Sequence, residues 1–320
     1  MALFRRSRSN RSSVPAWCAW FSTEEWTAFH GLVRECLAHD YAGQPRIPWT
    51  LGGSLVPELD LVQLTRRLRN RSREQWRATV AGYPQWCADG KREAQAQQVM
   101  PFELARGALL PAVRLAEESE NRLDAMTRIL GGGLVAQVQL TGEYVDLPVR
   151  IEQTRRWDVS PAEVWSVAMA NLRRQPCDVH EVVPGDSPLF AVLGSGVHTV
   201  AHVLRLGELA GRPTPYGVLV VLPRTDALAF WVINGPALLT AGPSLQKYGG
   251  SLRNLPQSPE RRLSQELFRW SDGKLESVTI PDWKADAATG MGTRDRPHTI
   301  GGSERFRDMF VSLASPPGNR

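Results

Sequence analysis

The sequence lacks most of the features that announce a chemistry. Its 320 residues include four cysteines, Cys18, Cys36, Cys87 and Cys177, with no CxxC pair and no close Cys/His spacing. That argues against a zinc module or a disulfide scaffold and for reduced, mostly buried thiols. No apolar run approaches the roughly 20 residues that cross a bilayer. The uncharged stretch Val14–Phe21 is interrupted by Pro15 and followed by Ser-Thr-Glu-Glu, and a secretory leader would want a longer apolar region with a small-residue cleavage site. These absences place the chain in the cytosol, away from membranes. Lysine is also scarce, with only Lys91, Lys247, Lys274 and Lys284 among 38 basic residues. The net charge of +5 is therefore an arginine charge, and without Arg5, Arg6, Arg8 and Arg11 the balance falls to 34 basic against 33 acidic residues.

What is present reads as an ordinary folded chain. An apolar content of 42% with 22% charged residues leaves enough apolar surface for a sizeable core, which argues against wholesale disorder. Residues 1–13 are the exception, a basic arm without periodicity that is expected to be disordered. The organisation expected beyond it is an N-terminal α+β region over 14–130, a core α+β region over 131–282, and a linker with a short amphipathic helix over 283–320, where Phe306, Met309, Phe310 and Leu313 keep helical spacing.

Several helices are marked by their caps. Ser22 with Glu25 forms a capping box ahead of Trp26, Phe29, Val33 and Leu37. Ser72 with Gln75 opens a second helix, which Pro84 is expected to interrupt or end. Ser160, Pro161 and Glu163 open a third, with Val164, Trp165, Ala168, Met169 and Leu172 on its buried face. Glu117–Leu130 is predicted as a helix closed by Gly131, Gly132 and Gly133; over Glu58–Leu68 the spacing of Leu59, Leu61, Leu64 and Leu68 leaves strand and helix undecided, with a strand favoured. Lys91–Gln98 is polar and expected to be exposed, Leu109–Leu115 reads as a strand, and Leu134–Leu140 with Tyr144–Ile151 reads as a hairpin.

The central stretch, residues 187–234, combines a strand at Leu189–Leu193, a glycine turn, a helix with Val197, Val200, Ala201 and Leu204 inward, and two further strands around Pro223–Asp226. Pro236–Tyr248 is a weaker helix, and Arg262–Trp270 with Lys274–Ile280 makes a hairpin about Asp272 and Gly273. The fold class is α+β, a mainly antiparallel sheet built from hairpins with helices packed on one face.

The order of these elements resembles that of the YtpQ-like family of bacterial proteins, a domain of unknown function. Three stretches carry the resemblance: Trp157–Arg174 with Ala168, Asn171 and Leu172; the strand, turn and helix at 188–204; and Gly217–Ile233 with Pro223 and Asp226. Family members often carry an acidic residue near the turn where this chain has Gly194, Ser195 and Gly196. The resemblance covers about residues 58–280 and implies a fold, with no catalytic signature.

Two constellations deserve weighing. Ser195, His198, His202 and Asp226 offer the residue types of a nucleophile, base and orienter, but Leu193 and Val197 stand where a GxSxG elbow needs glycine. His198 and His202 stand four apart on one helical face, the spacing a metal would want, yet HTVAH lacks the glutamate of HExxH and no third ligand is evident, so a helix-surface pair is the expected reading. The remaining reading is an anion or ligand site at Gly194, Ser195, Gly196, His198 and Asp226, using free backbone N–H groups at the turn. The second constellation is Arg66, Arg67, Arg69, Arg71, Arg73 and Arg77, which with Arg5, Arg6, Arg8 and Arg11 could contact phosphates, although such a cluster is more often a solvated face. No cofactor and no metal is expected. The function that follows is a cytosolic, non-catalytic binding or regulatory module acting through a protein partner, with nucleic-acid binding as the alternative and an enzyme of unrecognised type third.

Overall fold

A computed structural model describes residues 14–38, 44–51, 54–69, 71–119, 124–183, 188–194, 196–254, 262–280 and 300–314. The basic arm, the expected linker up to residue 299 and Ser195 lie outside them. The chain forms two compact units, one of residues up to Ala96 with Glu143–Val145, the other of Gln97–Gly142 and Asp146 onward. The line expected between residues 130 and 131 falls within a β-strand of the second unit.

In the first unit, α1 (Thr23–Leu37) begins at the expected capping box: Glu25 N–H donates to Ser22 Oγ at 3.1 Å and Ser22 N–H to Glu25 Oε2 at 2.7 Å. Its stripe of Trp26, Phe29, Val33 and Leu37 is fully buried. The hairpin β1 (Arg46–Leu51) and β2 (Ser54–Asp60) leads into α2 (Leu61–Leu68), where a strand was expected. Asp60 decides the change, because its Oδ1 accepts from Val62 N–H at 2.9 Å and Gln63 N–H at 3.2 Å and so caps a helix. From that start Leu61, Leu64 and Leu68 fall on one buried face.

The next helix, α3 (Arg73–Val99), runs through Pro84 instead of ending there. A proline inside a helix costs about 3 kcal/mol; burial of Trp76, Val80 and Tyr83, with Tyr83 stacked on Trp86, offsets it. The polar stretch expected to be merely exposed is thus helical, and Glu93 on it has a task. Its carboxylate accepts from the backbone N–H groups of Glu143, Tyr144 and Val145, each at 2.8 Å.

The second unit opens with the end of α3, from Gln97, followed by α4 (Phe102–Ala105), and holds two antiparallel sheets. In the smaller, β3 (Leu109–Leu115) and β4 (Thr127–Gly131) flank β5 (Leu134–Leu140), and β6 (Leu147–Pro148) pairs with β5 beyond the end of β4. Of the helix expected over 117–130, the described residues show α5 (Ala116–Ser119), while residues 120–123 lie outside them; Thr127–Gly131 pairs as a strand, leaving Ile129 exposed and Leu130 buried. The strand expected over 144–151 is only the two residues of β6, and α6 (Ile151–Arg156) follows at once.

Next comes α7 (Pro161–Arg174), capped by Ser160 as expected. The larger sheet is built from β7 (Val179–Val183), β8 (Leu189–Leu193), β9 (Val218–Arg224), β10 (Ala227–Val232), β11 (Leu267–Ser271) and β12 (Lys274–Val278), in the order β12-β11-β9-β10-β8-β7. Every residue of β9 and β10 is buried, because both faces of this sheet are covered. Val218, Val220, Leu222, Leu228, Phe230 and Val232 join one core with α7 and the small sheet. Their alternates Leu219, Val221, Ala229 and Trp231 join another beneath α9 (Leu238–Arg253) and α10 (Glu304–Ala314), where Phe306 and Phe310 of the tail are buried. The fold is α+β with antiparallel sheets, as expected, but helical segments pack against both faces of the larger sheet where one face was expected, and the C-terminal helix docks on the protein's own core.

Candidate functional site

The glycine turn does not lead into an α-helix. Thr199–Arg205 is a 3-10 helix, followed by the single turn α8 (Leu206–Leu209). The reason lies in the pinning of its start: Gly194 N–H donates to the Asp226 carbonyl and Val200 N–H to the Thr225 carbonyl, both at 3.0 Å, so the segment is tied to the β9–β10 turn. Gly194 is fixed by space, since a Cβ there would overlap Thr199 Oγ1.

The 3-10 geometry separates the two histidines. With three residues per turn, positions four apart are rotated by about 120°, not the roughly 40° of an α-helix. His198 Nδ1–H donates to the Pro111 carbonyl at 3.0 Å, and its Nε2 stands 3.5 Å from Asp146 Oδ2. Burial raises the Asp146 carboxyl, but the hydrogen bond and charge of His198, the Gly142 N–H and the charge of Arg114 outweigh it and hold the group below the usual carboxylate range. His202 instead is buried and accepts at Nδ1 from Arg205 Nε at 2.9 Å. The one-face pairing expected of His198 and His202 is therefore corrected. Among the described residues no group of three His, Cys, Asp or Glu stands together as a metal site.

His202 carries a pH dependence. Burial, and then the charge of Arg205, push its imidazole down to about 4 from the ordinary 6.5. As pH falls the unfolded chain takes up this proton first, so the stability tied to neutral His202 is complete above about 6.5 and drains away toward 4. Urea midpoints at pH 7 and pH 5 should show a clear fall for the wild-type chain and a flatter response for His202→Gln; equal slopes would contradict this.

Asp226 is committed elsewhere. Its Oδ1 accepts from Arg224 Nε at 2.7 Å and its Oδ2 from Arg224 Nη2 at 2.8 Å, with both side chains almost fully buried. Both oxygens of the expected orienter are thus engaged by a guanidinium fork, and His198 faces Asp146 and Pro111 instead. Of the expected site residues Gly194 is bonded to the β9–β10 turn, and Ser195 lies outside the described residues.

The arginine cluster is partly absorbed by the fold. Arg67 lies 3.8 Å over the Trp86 ring, Arg73 4.2 Å over Trp76, and Arg77 pairs with Glu35 at 2.6 Å. Arg66 and Arg69 are half-buried and Arg71 is exposed. Arg5, Arg6, Arg8 and Arg11 lie outside the described residues.

A groove that the sequence did not reveal forms around α6. The helix α3 ends at Val99 with unsatisfied carbonyls, as every helix does. Gln153 Nε2 donates to the Gln97 carbonyl at 3.1 Å, Arg156 Nη2 to that of Gln98 at 2.6 Å, and Trp157 Nε1 to that of Met100 at 2.7 Å. Docked this way, α6 walls a groove of about 950 Å³ lined by Gln98, Val99, Asp124, Leu147, Pro148, Arg150, Glu152, Gln153, Arg155 and Arg156. Arg150 pairs with Asp124 at 3.3 Å, and Val99 is 74% exposed. The available signal was Gln153 three residues after Arg150: Gln153 Oε1 accepts from Arg150 N–H at 3.1 Å, the return half of a capping box. No helix of the described residues is long and apolar enough to cross a membrane. The chain matches no family model, no curated protein and no solved structure, so its functional reading rests on its own geometry.

Proposed function

We propose that the protein is a cytoplasmic, non-catalytic binding or regulatory module that engages a protein partner through the α6 groove. The carrying observation is the lining itself. Three arginines, Arg150, Arg155 and Arg156, alternate with Asp124 and Glu152, and the exposed Val99 adds apolar surface. Mixed charge with an apolar contact suits a protein segment carrying carboxylates, whereas a polyanion would meet Asp124 and Glu152 as repulsion. The engagement of Asp226 by Arg224 and of His202 by Arg205 supports the same reading, because these side chains already have structural work. The resemblance to the YtpQ-like family belongs to the proposal too, since it implies a fold without a catalytic signature.

The test is affinity capture from the source organism with the wild-type chain and a Val99→Ser/Arg155→Glu variant. Both positions are surface sites outside the bonds that hold α6 to α3, so the variant should keep its melting temperature. A specific partner held by wild type should be retained about tenfold less by the variant. Equal capture by both chains, or no specific partner, would overturn the reading.

A further inference from the structure

A second and smaller cavity, of about 230 Å³, opens at the far end of α9 against β9. Gln246, Gly249, Gly250 and Arg253 line it from the helix, on one stripe of positions i, i+3, i+4 and i+7, and Ser264 lines it from the segment leading into β11. Glycine at 249 lets the helix come within van der Waals reach of Val221, where a Cβ would stand 3.0 Å from Val221 Cγ2. The close approach closes the floor of the cavity and leaves polar side chains around its wall.

Arg253, in the last turn of α9, is the charged group on this lining. Its Nη1 is shut off from solvent and has no hydrogen-bond acceptor among the described residues. Burial, and then the like charge of Arg262, work against its cation and push it below the usual arginine range. Among the described residues no carboxylate faces Arg253, whereas Arg224 has that of Asp226. We propose that the cavity binds a small oxyanion, the carboxylate or phosphate group of a small molecule, with the Arg253 guanidinium as its principal ligand. A planar fork presents paired N–H donors to such a group, and two neighbouring positive charges favour it further. The cavity is below the size that holds drug-sized ligands, which points to a compact molecule. This site is separate from the α6 groove and does not depend on the partner reading.

The full chain serves for the test, with inorganic phosphate and succinate as probes and chloride at matched ionic strength as control. Thermal unfolding of the wild type should rise saturably with one of the two probes, and which one distinguishes a phosphate from a carboxylate source. Arg253→Gln should weaken that response at least tenfold while leaving the ligand-free melting temperature unchanged or raised, because an unpartnered charge has been removed. Arg253→Lys, which keeps the charge and loses the fork, should fall between. An arginine present only to complement the carbonyl end of α9 would behave oppositely, with ligand-free stability lowered and the probe response intact. That result, or a response to neither probe, would overturn the proposal.

Discussion

Asp226→Ala is expected to lower the unfolding free energy by about 3–5 kcal/mol, read as a drop in urea midpoint at unchanged slope. The size follows from what is left behind. Arg224 is 2% exposed and its Nε and Nη2 both donate to the Asp226 carboxylate. Removing that carboxylate takes two hydrogen bonds and the compensating charge from a cation where water does not reach. The double change Arg224→Met/Asp226→Leu should cost far less than the single one and approach neutrality, because a buried ion pair owes much of its gain back as desolvation. A single-variant loss under about 1 kcal/mol would mean that the pair is hydrated and worth no more than a surface bridge. The pair also sits where other segments gather: Gly194 donates to the Asp226 carbonyl and Val200 to that of Thr225. Loosening the turn should therefore speed amide exchange at Gly194 and Val200 before it does so in β9 and β10.

Asp226 also shows how far the sequence could be read. A proline, a polar turn and an aspartate between two apolar runs located the β9–β10 hairpin. They left open whether the carboxylate was chemical or structural, because Arg224 is two residues away and any exposed turn could carry the same pair. Elements with local signals were legible: α1 and α7 through their caps, and β9 and β10 through apolar runs continuous enough for strands buried on both faces. Elements fixed by distant contacts were not. Leucine spacing over 59–68 suited either period until the Asp60 cap chose the helix. Pro84 looked like a stop because the packing of Trp76, Tyr83 and Trp86 was out of sight. The contact between His198 and Asp146 joins residues too far apart in the chain for any local pattern. At six residues α6 is too short for periodicity to show, so the groove it walls had no signature beyond one glutamine.

The second large effect is expected at the glycine triplet. Gly131, Gly132 and Gly133 have φ of 106°, 57° and 71° and turn β4 into β5. At Gly131 a Cβ would overlap the backbone carbonyl of Leu275 on β12, and at Gly132 the buried ring of Phe268, while at Gly133 nothing lies within 4 Å. Left-handed strain alone costs about 1–2 kcal/mol and forced overpacking about 1–3 more. Gly131→Ala should therefore lose about 2–5 kcal/mol and Gly133→Ala about 1–2, with Gly132→Ala close to the first. Urea unfolding of the three variants measures the ladder; equal losses at 131 and 133 would show that strain acts alone and that the approach to Leu275 is loose. The same angles explain why the triplet is no helix terminator. A helix end needs one left-handed residue, whereas three in succession reverse the chain at once, and only residues without a side chain can do so while a neighbouring strand passes this close.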